Sequence, residues 1–307
     1  MDDSRKLFAK RYSRFLQLLE LVAAYAPRGL QWPLSGIISR FSDPYNCSAA
    51  DITASISIAL SLDTQTARRA WLRWRASHAR FVLTIFQYEQ MDSEWLRRSV
   101  QVQNPVLFKQ IVQTGGLILT YHTHHQNTLA ALLGTAGSTI SPVAVSAAAD
   151  SPLHQVIGRY IDLINSGSQQ QFRGGTYLYT DNLRQVLQEA RKRLRRGELL
   201  LSLCDFHQPS HERPHRLLGR AITPPTGIIR LALKCGVPIY FGLLFPDSIG
   251  RFQLLAAEAN GSDLYQITEE YLDFLAQVVR HTPEAWQGWQ WYGSLPEAPP
   301  LKTQTNC

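Results

Sequence analysis

The chain has 307 residues, of which 45% are hydrophobic and 18% are charged, and its formal net charge is +7. A chain of this length can bury one large core or two modest ones, and the composition excludes a disordered protein. The positive charge favours an acidic partner, such as phospholipid, nucleic acid or an acidic carrier protein.

The four cysteines are scattered without metal-site spacing, which favours reduced thiols in a cytoplasmic compartment: Cys47, Cys204, Cys235 and Cys307. The N-terminus is charged and has no signal-peptide core, and no run of about 18 apolar residues occurs. We therefore expect a cytoplasmic protein without a transmembrane helix, in contact at most with the inner face of a membrane. The basic clusters are not interleaved with aromatic residues, so no nucleic-acid partner is expected.

The first third of the chain is predicted to be helical. Residues 5–26 predict an amphipathic helix ended by Pro27, with one apolar stripe: Leu7, Phe15, Leu19 and Val22. Such a basic and apolar helix either lies on a membrane surface or, more commonly, packs on the domain. Further helical patterns occupy 49–62, 64–90, the segment at Trp95 and 105–112. We expect residues 1–100 to form a helical subdomain packed on the core.

The remaining sequence alternates apolar runs with helical patterns. Strands are predicted at 117–120, after two glycines, and at 140–147, 176–179, 198–204, 237–245 and 251–258. Helices are predicted at 152–165, from an Asp181 cap to Gly197, at 226–236 and at 264–278. Because strands alternate with helices and each strand is nearly all apolar, the predicted fold class is α/β, with a largely parallel sheet covered by helices on both faces. The core is expected at 101–295, followed by a tail at 296–307.

Three histidines, His122, His124 and His125, follow the first long strand. In open α/β sheets, chemistry collects beyond the carboxyl ends of the strands. One interpretation is a zinc or binuclear hydrolase site using His122 and His124, with ligands from a downstream loop that holds His207, His211 and His215. A second is a surface turn without function. In the third, His122 is a general base in acyl transfer, because the pKa of histidine lies near neutrality.

The third interpretation agrees with a family resemblance that covers about residues 65–292. The chain resembles the lysophospholipid acyltransferase superfamily, in particular its lipid A late acyltransferase branch. The ordered segments are Trp95-Leu-Arg-Arg-Ser-Val-Gln-Val-Gln, Gly116-Leu-Ile-Leu-Thr-Tyr-His122, Gly197-Glu-Leu-Leu-Leu-Ser-Leu-Cys-Asp205, Leu218-Gly-Arg-Ala-Ile-Thr-Pro-Pro-Thr-Gly227, Lys234-Cys-Gly-Val-Pro-Ile and Pro283-Glu-Ala-Trp-Gln-Gly-Trp.

Three departures from the family pattern bear on the acceptor. The family has Asp or Glu five positions after the catalytic histidine, where this chain has Asn127. The family ending His-Arg-Arg-Trp stands here as Trp289-Gln-Trp-Tyr292. We also expect the usual N-terminal membrane anchor to be absent. The resemblance therefore implies the family scaffold, but an acceptor that need not be a membrane-embedded glycolipid.

The resemblance implies an acyltransferase with His122 as base and Asn127 as its orienting residue. Because Asn127 lacks charge, Asp205 at the end of another strand is a candidate second carboxylate, with a helix cap or loop anchor as its alternative. A free amine acceptor, which depends less on base help, is the other way to compensate. The candidate substrate-contacting residues are His124, His125, Arg173, Gly219, Arg220 and Thr223. The two arginines would hold a phosphate or carboxylate, or would simply support their loops.

The expected donor is an acyl or aminoacyl thioester on a carrier protein or coenzyme A, and the acceptor is a small molecule or lipid. No cofactor or metal is expected. The basic helix that carries Arg191, Arg193 and Arg195 is a candidate dock for an acidic carrier protein, or else a solvated face. The alternatives to catalysis of this kind are a non-catalytic member that binds acyl chains or carriers, and the metal-dependent hydrolase.

Overall fold

The computed structural model describes residues 3–41, 49–144, 152–208 and 213–298. The helices of these segments are α1 (Asp3–Tyr25), α2 (Arg28–Ile38), α3 (Ala49–Leu60), α4 (Thr64–Ile85), α5 (Ser93–Ser99), α6 (Pro105–Thr114), α7 (Gln126–Ala136), α8 (Pro152–Gln170), α9 (Leu183–Arg195), α10 (Gly227–Cys235), α11 (Leu264–His281) and α12 (Trp289–Tyr292). The strands are β1 (Val100–Val102), β2 (Gly116–Thr120), β3 (Ile140–Ala144), β4 (Leu178–Tyr179), β5 (Leu199–Leu203), β6 (His215–Leu217), β7 (Arg220–Ile222), β8 (Ile239–Pro246) and β9 (Phe252–Glu258).

Seven of these strands form one sheet in the order β1-β9-β8-β2-β5-β3-β4. Each neighbouring pair is parallel except the antiparallel pair β8–β9. Strands β6 and β7 form a separate antiparallel hairpin. The predicted α/β class with a largely parallel sheet is therefore confirmed.

Both faces of the sheet are covered. Along β2, Leu117 and Leu119 join a core cluster that includes residues of α9, α10 and α11. Ile118 points the other way, into a cluster that includes residues of α6 and α7. A strand buried on both sides has no polar face, which is why Leu117, Ile118 and Leu119 are all apolar.

The two glycines that open β2 are required by the backbone. Gly115 and Gly116 have φ angles of 71° and 116°, a region that other residues rarely adopt. A Cβ atom at Gly115 would also collide with the backbone of Gly197, and one at Gly116 with the backbone of Pro238. These contacts join the start of β2 closely to the segments that lead into β5 and β8.

The N-terminal helices depart from the sequence prediction in one respect. Helix α1 ends at Tyr25, close to the expected position, but a further helix, α2, begins immediately after Pro27. Proline marks the end of one helix and is equally compatible with the start of the next, so the pattern alone missed α2. The predicted stripe of α1 does pack inward, since Phe15 and Leu19 are buried in a cluster with residues of α4 and α8.

Other boundaries also differ. The N-cap of α9 is Asn182, whose Oδ1 accepts a hydrogen bond from Gln185 N, rather than Asp181. The short strands β1, β6 and β7 were not predicted, because three residues are too few to show a period. Residues 145–147 of the second predicted strand lie outside the described residues, as does the predicted tail after residue 298. No helix within the described segments is long and apolar enough to span a membrane.

Candidate active site

The register of two neighbouring strands brings His122 and Asp205 together. Strands β2 and β5 are parallel, and Thr120 at the end of β2 pairs with Leu203 at the end of β5. His122 and Asp205 each stand two residues beyond that pair. Because carboxyl ends of parallel strands meet at one edge of the sheet, two side chains 83 positions apart become neighbours there.

Asp205 is fully buried and holds His122 by both its ring and its backbone. The ring Nδ1 lies 2.7 Å from Asp205 Oδ1, and the backbone N–H of His122 donates to Oδ2 at 2.9 Å. Trp286 Nε1 donates to the same Oδ2 at 2.7 Å. A buried carboxylate needs such donors, because an unpaired charge in the interior is costly.

Trp286 belongs to a segment that is itself fixed from two sides. Its carbonyl accepts a hydrogen bond from Trp74 Nε1 of α4 at 2.8 Å. The next backbone N–H, that of Gln287, donates to the carbonyl of His122 at 2.7 Å. The N-terminal helices therefore help to position the turn that follows β2.

The pKa of His122 is raised above its ordinary value. Burial of the ring lowers this pKa, but the charge of Asp205 and the hydrogen bond to it outweigh that effect. A carboxylate only accepts hydrogen bonds, so Nδ1 carries the proton in this contact and Nε2 of the neutral ring has a free lone pair. The His122 side chain is 29% exposed, so a reactant can approach it.

Two aromatic side chains flank the His122 ring edge-on. The centroid of Phe206 lies 5.7 Å from that of His122, and the centroid of Trp291 lies 5.2 Å away, both at an interplanar angle of 83°. Phe206 follows Asp205 directly, and Trp291 lies in α12. These rings restrict the orientation of the imidazole and give the surroundings of the base an apolar character.

Asn127 does not orient His122 as the family pattern predicted. It lies in the first turn of α7, and its side chain forms no hydrogen bond with any described residue. The position of the family's acidic residue thus carries an amide without a hydrogen bond to the ring among the described residues, while Asp205 makes that hydrogen bond. Asp205 is the carboxylate that the sequence indicates for this role, at the end of another strand.

His124 and His125 are not on the surface of the site. Both are buried against α4, where the ring of His124 packs edge-on against Trp74 and His78. Gln287 Nε2 donates to His124 Nδ1 at 2.8 Å. Burial, the main cause, lowers the pKa of His125 to about 3 and that of His124 well below its ordinary value. These two side chains are buried, so they are not placed to contact a substrate as predicted. The alternative prediction, an exposed turn without function, does not describe them either.

The described residues contain no cluster of ligands that would support the metal interpretation. No group of three or more histidine, cysteine or acidic side chains suited to an ion occurs among them. His215 stacks on Tyr265, and His207 Nδ1 accepts from the backbone of Thr223. His211 lies outside the described residues.

Arg173 lies at the amino ends of the parallel strands, whereas His122 lies at their carboxyl ends. Its Nη1 donates to the carbonyl of Gly137 at 3.5 Å, and its carbonyl accepts from Thr139 Oγ1 at 3.2 Å. Both partners precede β3, so they mark the amino ends of the parallel strands. The prediction that Arg173 faces the same edge as His122 was wrong, because a loop position does not reveal on which edge the loop lies.

The hairpin β6–β7 and the residue that follows it lie nearer the site. Its turn holds Gly219, and Arg220 Nη1 donates to the carbonyl of Leu295 at 3.3 Å. The Arg220 guanidinium also lies 5.9 Å from the ring centroid of Tyr292, the neighbour of Trp291 in α12. Thr223 is buried beside His207, two positions beyond Asp205. Arg220 thus supports the α12 segment, with Glu297 as an ion-pair partner at 3.9 Å.

Two cavities of the described structure lie away from this site. One, of about 530 Å³, lies between α3 and α4 and is lined by residues that include Ile58, Arg68 and Trp71. The other, of about 220 Å³, lies at the amino ends of the strands beside Gly197. Neither is lined by His122 or Asp205.

Sequence reasoning did not assign a role to Phe206, Trp286 or Trp291. The Pro283-Glu-Ala-Trp segment resembles the family pattern, but its sequence does not indicate which residue Trp286 contacts. No family model and no curated protein matches the sequence. Among solved structures, the chain is similar to the 1-acyl-sn-glycerophosphate (LPA) acyltransferase of Thermotoga maritima, with a TM-score of 0.36 and 13% identity, over 84% of this chain and 97% of that one.

Proposed function

We propose that the protein is an acyltransferase that moves an acyl or aminoacyl group from a thioester to an amine or hydroxyl acceptor. The observation that carries the proposal is the pair of His122 and Asp205 at the carboxyl edge of the sheet, with Nδ1 on a buried carboxylate and the ring partly exposed. The same arrangement of a buried carboxylate behind a histidine activates nucleophiles in enzymes of unrelated fold.

In the proposed reaction, Nε2 of His122 removes the proton of the acceptor O–H or N–H as that atom attacks the thioester carbonyl. The resulting imidazolium is stabilised by Asp205. Collapse of the tetrahedral intermediate breaks the C–S bond, and the proton on Nε2 passes to the departing thiolate. The N-terminus of α7 begins four positions after His122, and its partial positive charge favours negative charge developing nearby.

The acceptor need not be an amine. An amine acceptor would compensate for the missing charge at Asn127, but Asp205 already places a carboxylate in hydrogen-bond contact with the His122 ring. A hydroxyl acceptor, which needs strong base help, is therefore as compatible with this site as an amine. A small molecule or a lipid can supply either group.

The proposed donor is a thioester of coenzyme A or of a carrier protein. No cofactor takes part in the proposed chemistry. Helix α9 offers an exposed basic stripe for an acidic carrier protein, formed by Arg184, Arg191 and Arg195. These positions are seven and four residues apart, so they share one side of the helix.

The proposal is tested by incubating the purified protein with acyl and aminoacyl thioesters and with amine or alcohol acceptors, followed by mass spectrometry of the products. His122→Ala should reduce product formation by ~10²–10⁴-fold, the usual contribution of general acid–base catalysis. His281→Ala is the matched control, because His281 is an exposed histidine at the end of α11.

Unchanged turnover in His122→Ala would refute the role of His122. Saturable binding of a thioester without product, across all acceptors, would instead indicate a protein that binds acyl carriers and does not catalyse transfer. Loss of activity on chelation, with recovery on addition of zinc, would support the hydrolase alternative.

A further inference from the structure

The pairing of β2 with β5 stops just before the two residues of the proposed site. Its last pair is Thr120 with Leu203. The hydrogen bonds of a parallel pair repeat every two residues along each strand. At the start of the pair, Gly116 N donates to the carbonyl of Glu198. Continued in that phase, the ladder would next join the carbonyl of Thr120 to the N–H of Cys204.

The hydroxyl of Tyr271 lies between these two groups. It donates to the carbonyl of Thr120 at 2.6 Å and accepts from the N–H of Cys204 at 3.2 Å. Tyr271 belongs to α11 and is fully buried. Burial raises the pKa of Tyr271 well above its ordinary value, so the hydroxyl keeps its proton and can be donor and acceptor at once. A side chain from a helix thus stands where the ladder would have its next bond.

Tyr271 also holds the residue that precedes His122. The rings of Tyr121 and Tyr271 stack, with their centroids 4.4 Å apart and their planes at 7°. Tyr121 Oη donates to the backbone carbonyl of Tyr271 at 2.7 Å. The last residue of β2 is therefore held by the Tyr271 hydroxyl, and the next residue by the Tyr271 ring and backbone.

The hydroxyl adds length to the connection between the two strand ends. In a direct bond the N and O atoms are about 2.9 Å apart, whereas here the oxygen atom of Tyr271 lies between the two groups. Asp205 follows Cys204 directly, and His122 stands two positions after Thr120. The distance between His122 and Asp205 therefore depends on the separation that this hydroxyl imposes.

We propose that Tyr271 is a positioning residue, whose hydroxyl sets the separation of β2 and β5 at their carboxyl ends and thereby the hydrogen bond between His122 and Asp205. Its importance for turnover rests on the proposed function, in which His122 is the base. The contact of 2.7 Å between Nδ1 and Oδ1 tolerates little change in that separation. Misplacement of a catalytic group by about 1 Å can cost on the order of 10²-fold in rate.

The test is Tyr271→Phe, which removes the hydroxyl and keeps the stacked ring. Thr120 and Cys204 are buried, and buried backbone groups are nearly always paired, so their carbonyl and N–H should then bond directly and draw the strand ends together. We expect kcat to fall on the order of 10- to 100-fold with KM unchanged, because the base is displaced and the substrate contacts are not. The pKa of His122 should fall toward its ordinary value of 6.5, because the contact with Asp205 weakens.

The pKa of His122 is measured by NMR titration of protein with isotope-labelled histidine, and His122→Ala identifies the signal. This measurement needs no turnover, so it tests Tyr271 independently of acyl transfer. The matched control is Tyr177→Phe, which removes another buried hydroxyl, hydrogen-bonded to Ser168 Oγ at 2.8 Å, beside the edge strand β4. It should leave both the pKa of His122 and kcat as they are in the wild type.

A folded Tyr271→Phe variant with the wild-type pKa of His122 would overturn the proposal, even if its thermal stability were lower. If Tyr271→Phe does not fold, Tyr121→Phe takes its place, since it removes the hydrogen bond that ties Tyr271 to the chain before His122. That variant should lower the same pKa, and an unchanged value would then overturn the proposal. Unchanged turnover in His122→Ala would refute the proposed function, whereas the role of Tyr271 is decided by the pKa.

Discussion

Asp205 contacts His122 twice, through Oδ1 to the ring Nδ1 at 2.7 Å and through Oδ2 to the backbone N–H at 2.9 Å. One carboxylate thus fixes both the ring and the chain that carries it. The third contact, from Trp286 Nε1, fixes the carboxylate in turn. Because β5 supplies Asp205 and β2 supplies His122, the sheet itself determines the distance between them.

We expect Asp205→Asn to reduce kcat far more than it reduces stability. An amide N–H facing Nδ1 would force the proton to Nε2 and so remove the free lone pair of the base. In serine proteases the analogous change lowers kcat about 10⁴-fold. The matched control is Asp263→Asn, the same chemical change at the exposed N-cap of α11, and turnover is measured with thermal unfolding.

Retention of full activity in Asp205→Asn would show that the carboxylate is only a structural anchor. A loss of activity that merely follows the loss of folded protein would lead to the same conclusion.

Asn127→Asp should have little effect, even though it restores the residue of the family pattern. The Asn127 side chain makes no hydrogen bond to the ring in the described structure, and Asp205 already provides the charge. We expect a change in kcat of less than about tenfold, below the range of acid–base catalysis. Asn127→Ala is the companion variant. A large gain in Asn127→Asp would show that the ring reorients toward α7 during the reaction.

The pH profile of kcat/KM should follow the raised pKa of His122. The base works only as neutral imidazole, so activity should rise with pH through a midpoint above the ordinary value of 6.5. Removing the negative charge in Asp205→Asn should move this midpoint down, because the imidazolium loses its stabilising partner. The residual activity of that variant, followed over about pH 5 to pH 9, provides the measurement. An unmoved midpoint would mean that another group controls the profile.

Acid should destabilise the protein through the buried histidines. Burial lowers the pKa of His78 and of His125 to about 3, so the unfolded chain binds their protons first as pH falls below about 6.5. Each residue should cost about 2 kcal/mol of unfolding free energy at pH 5. His125→Phe keeps a ring beside Phe81 and Phe252 and should reduce the difference in stability between pH 7 and pH 5 by that amount.

The exposed His281→Phe change should leave this pH difference as it is in the wild type. An equally steep acid dependence in His125→Phe, followed by denaturant unfolding, would contradict the assignment to His125.

Helix α9 offers a specific test of the carrier-protein donor. Reversal of Arg184, Arg191 and Arg195 to Glu should raise KM for a carrier-bound thioester on the order of tenfold while sparing a short thioester analogue. Arg193 is unsuitable for this test, since it hydrogen-bonds Glu189, Ser141 and Thr176. The charge-matched control reverses Arg69, Arg97 and Arg251, which are exposed elsewhere. Equal effects on both donors would show that the stripe only contacts solvent.

The sequence by itself determined the α/β class and the position of the central turn. Apolar runs bounded by glycine identified β2 and β5, because a strand buried on both faces consists mainly of apolar residues. The histidine after β2 and the aspartate after β5 were recognisable as candidate site residues, because each is a polar residue that follows an apolar strand. Very short strands, and a helix that begins directly after a proline, gave no comparable pattern.

Only the tertiary structure decided which partner each candidate has. The register between β2 and β5 selects Asp205 for His122, and Asn127 on α7 makes no hydrogen bond to the ring in the described structure. The packing of α4 buries His124 and His125, and chain direction places Arg173 at the far edge of the sheet. These outcomes depend on contacts between residues distant in sequence, and local periodicity carries no information about such pairs.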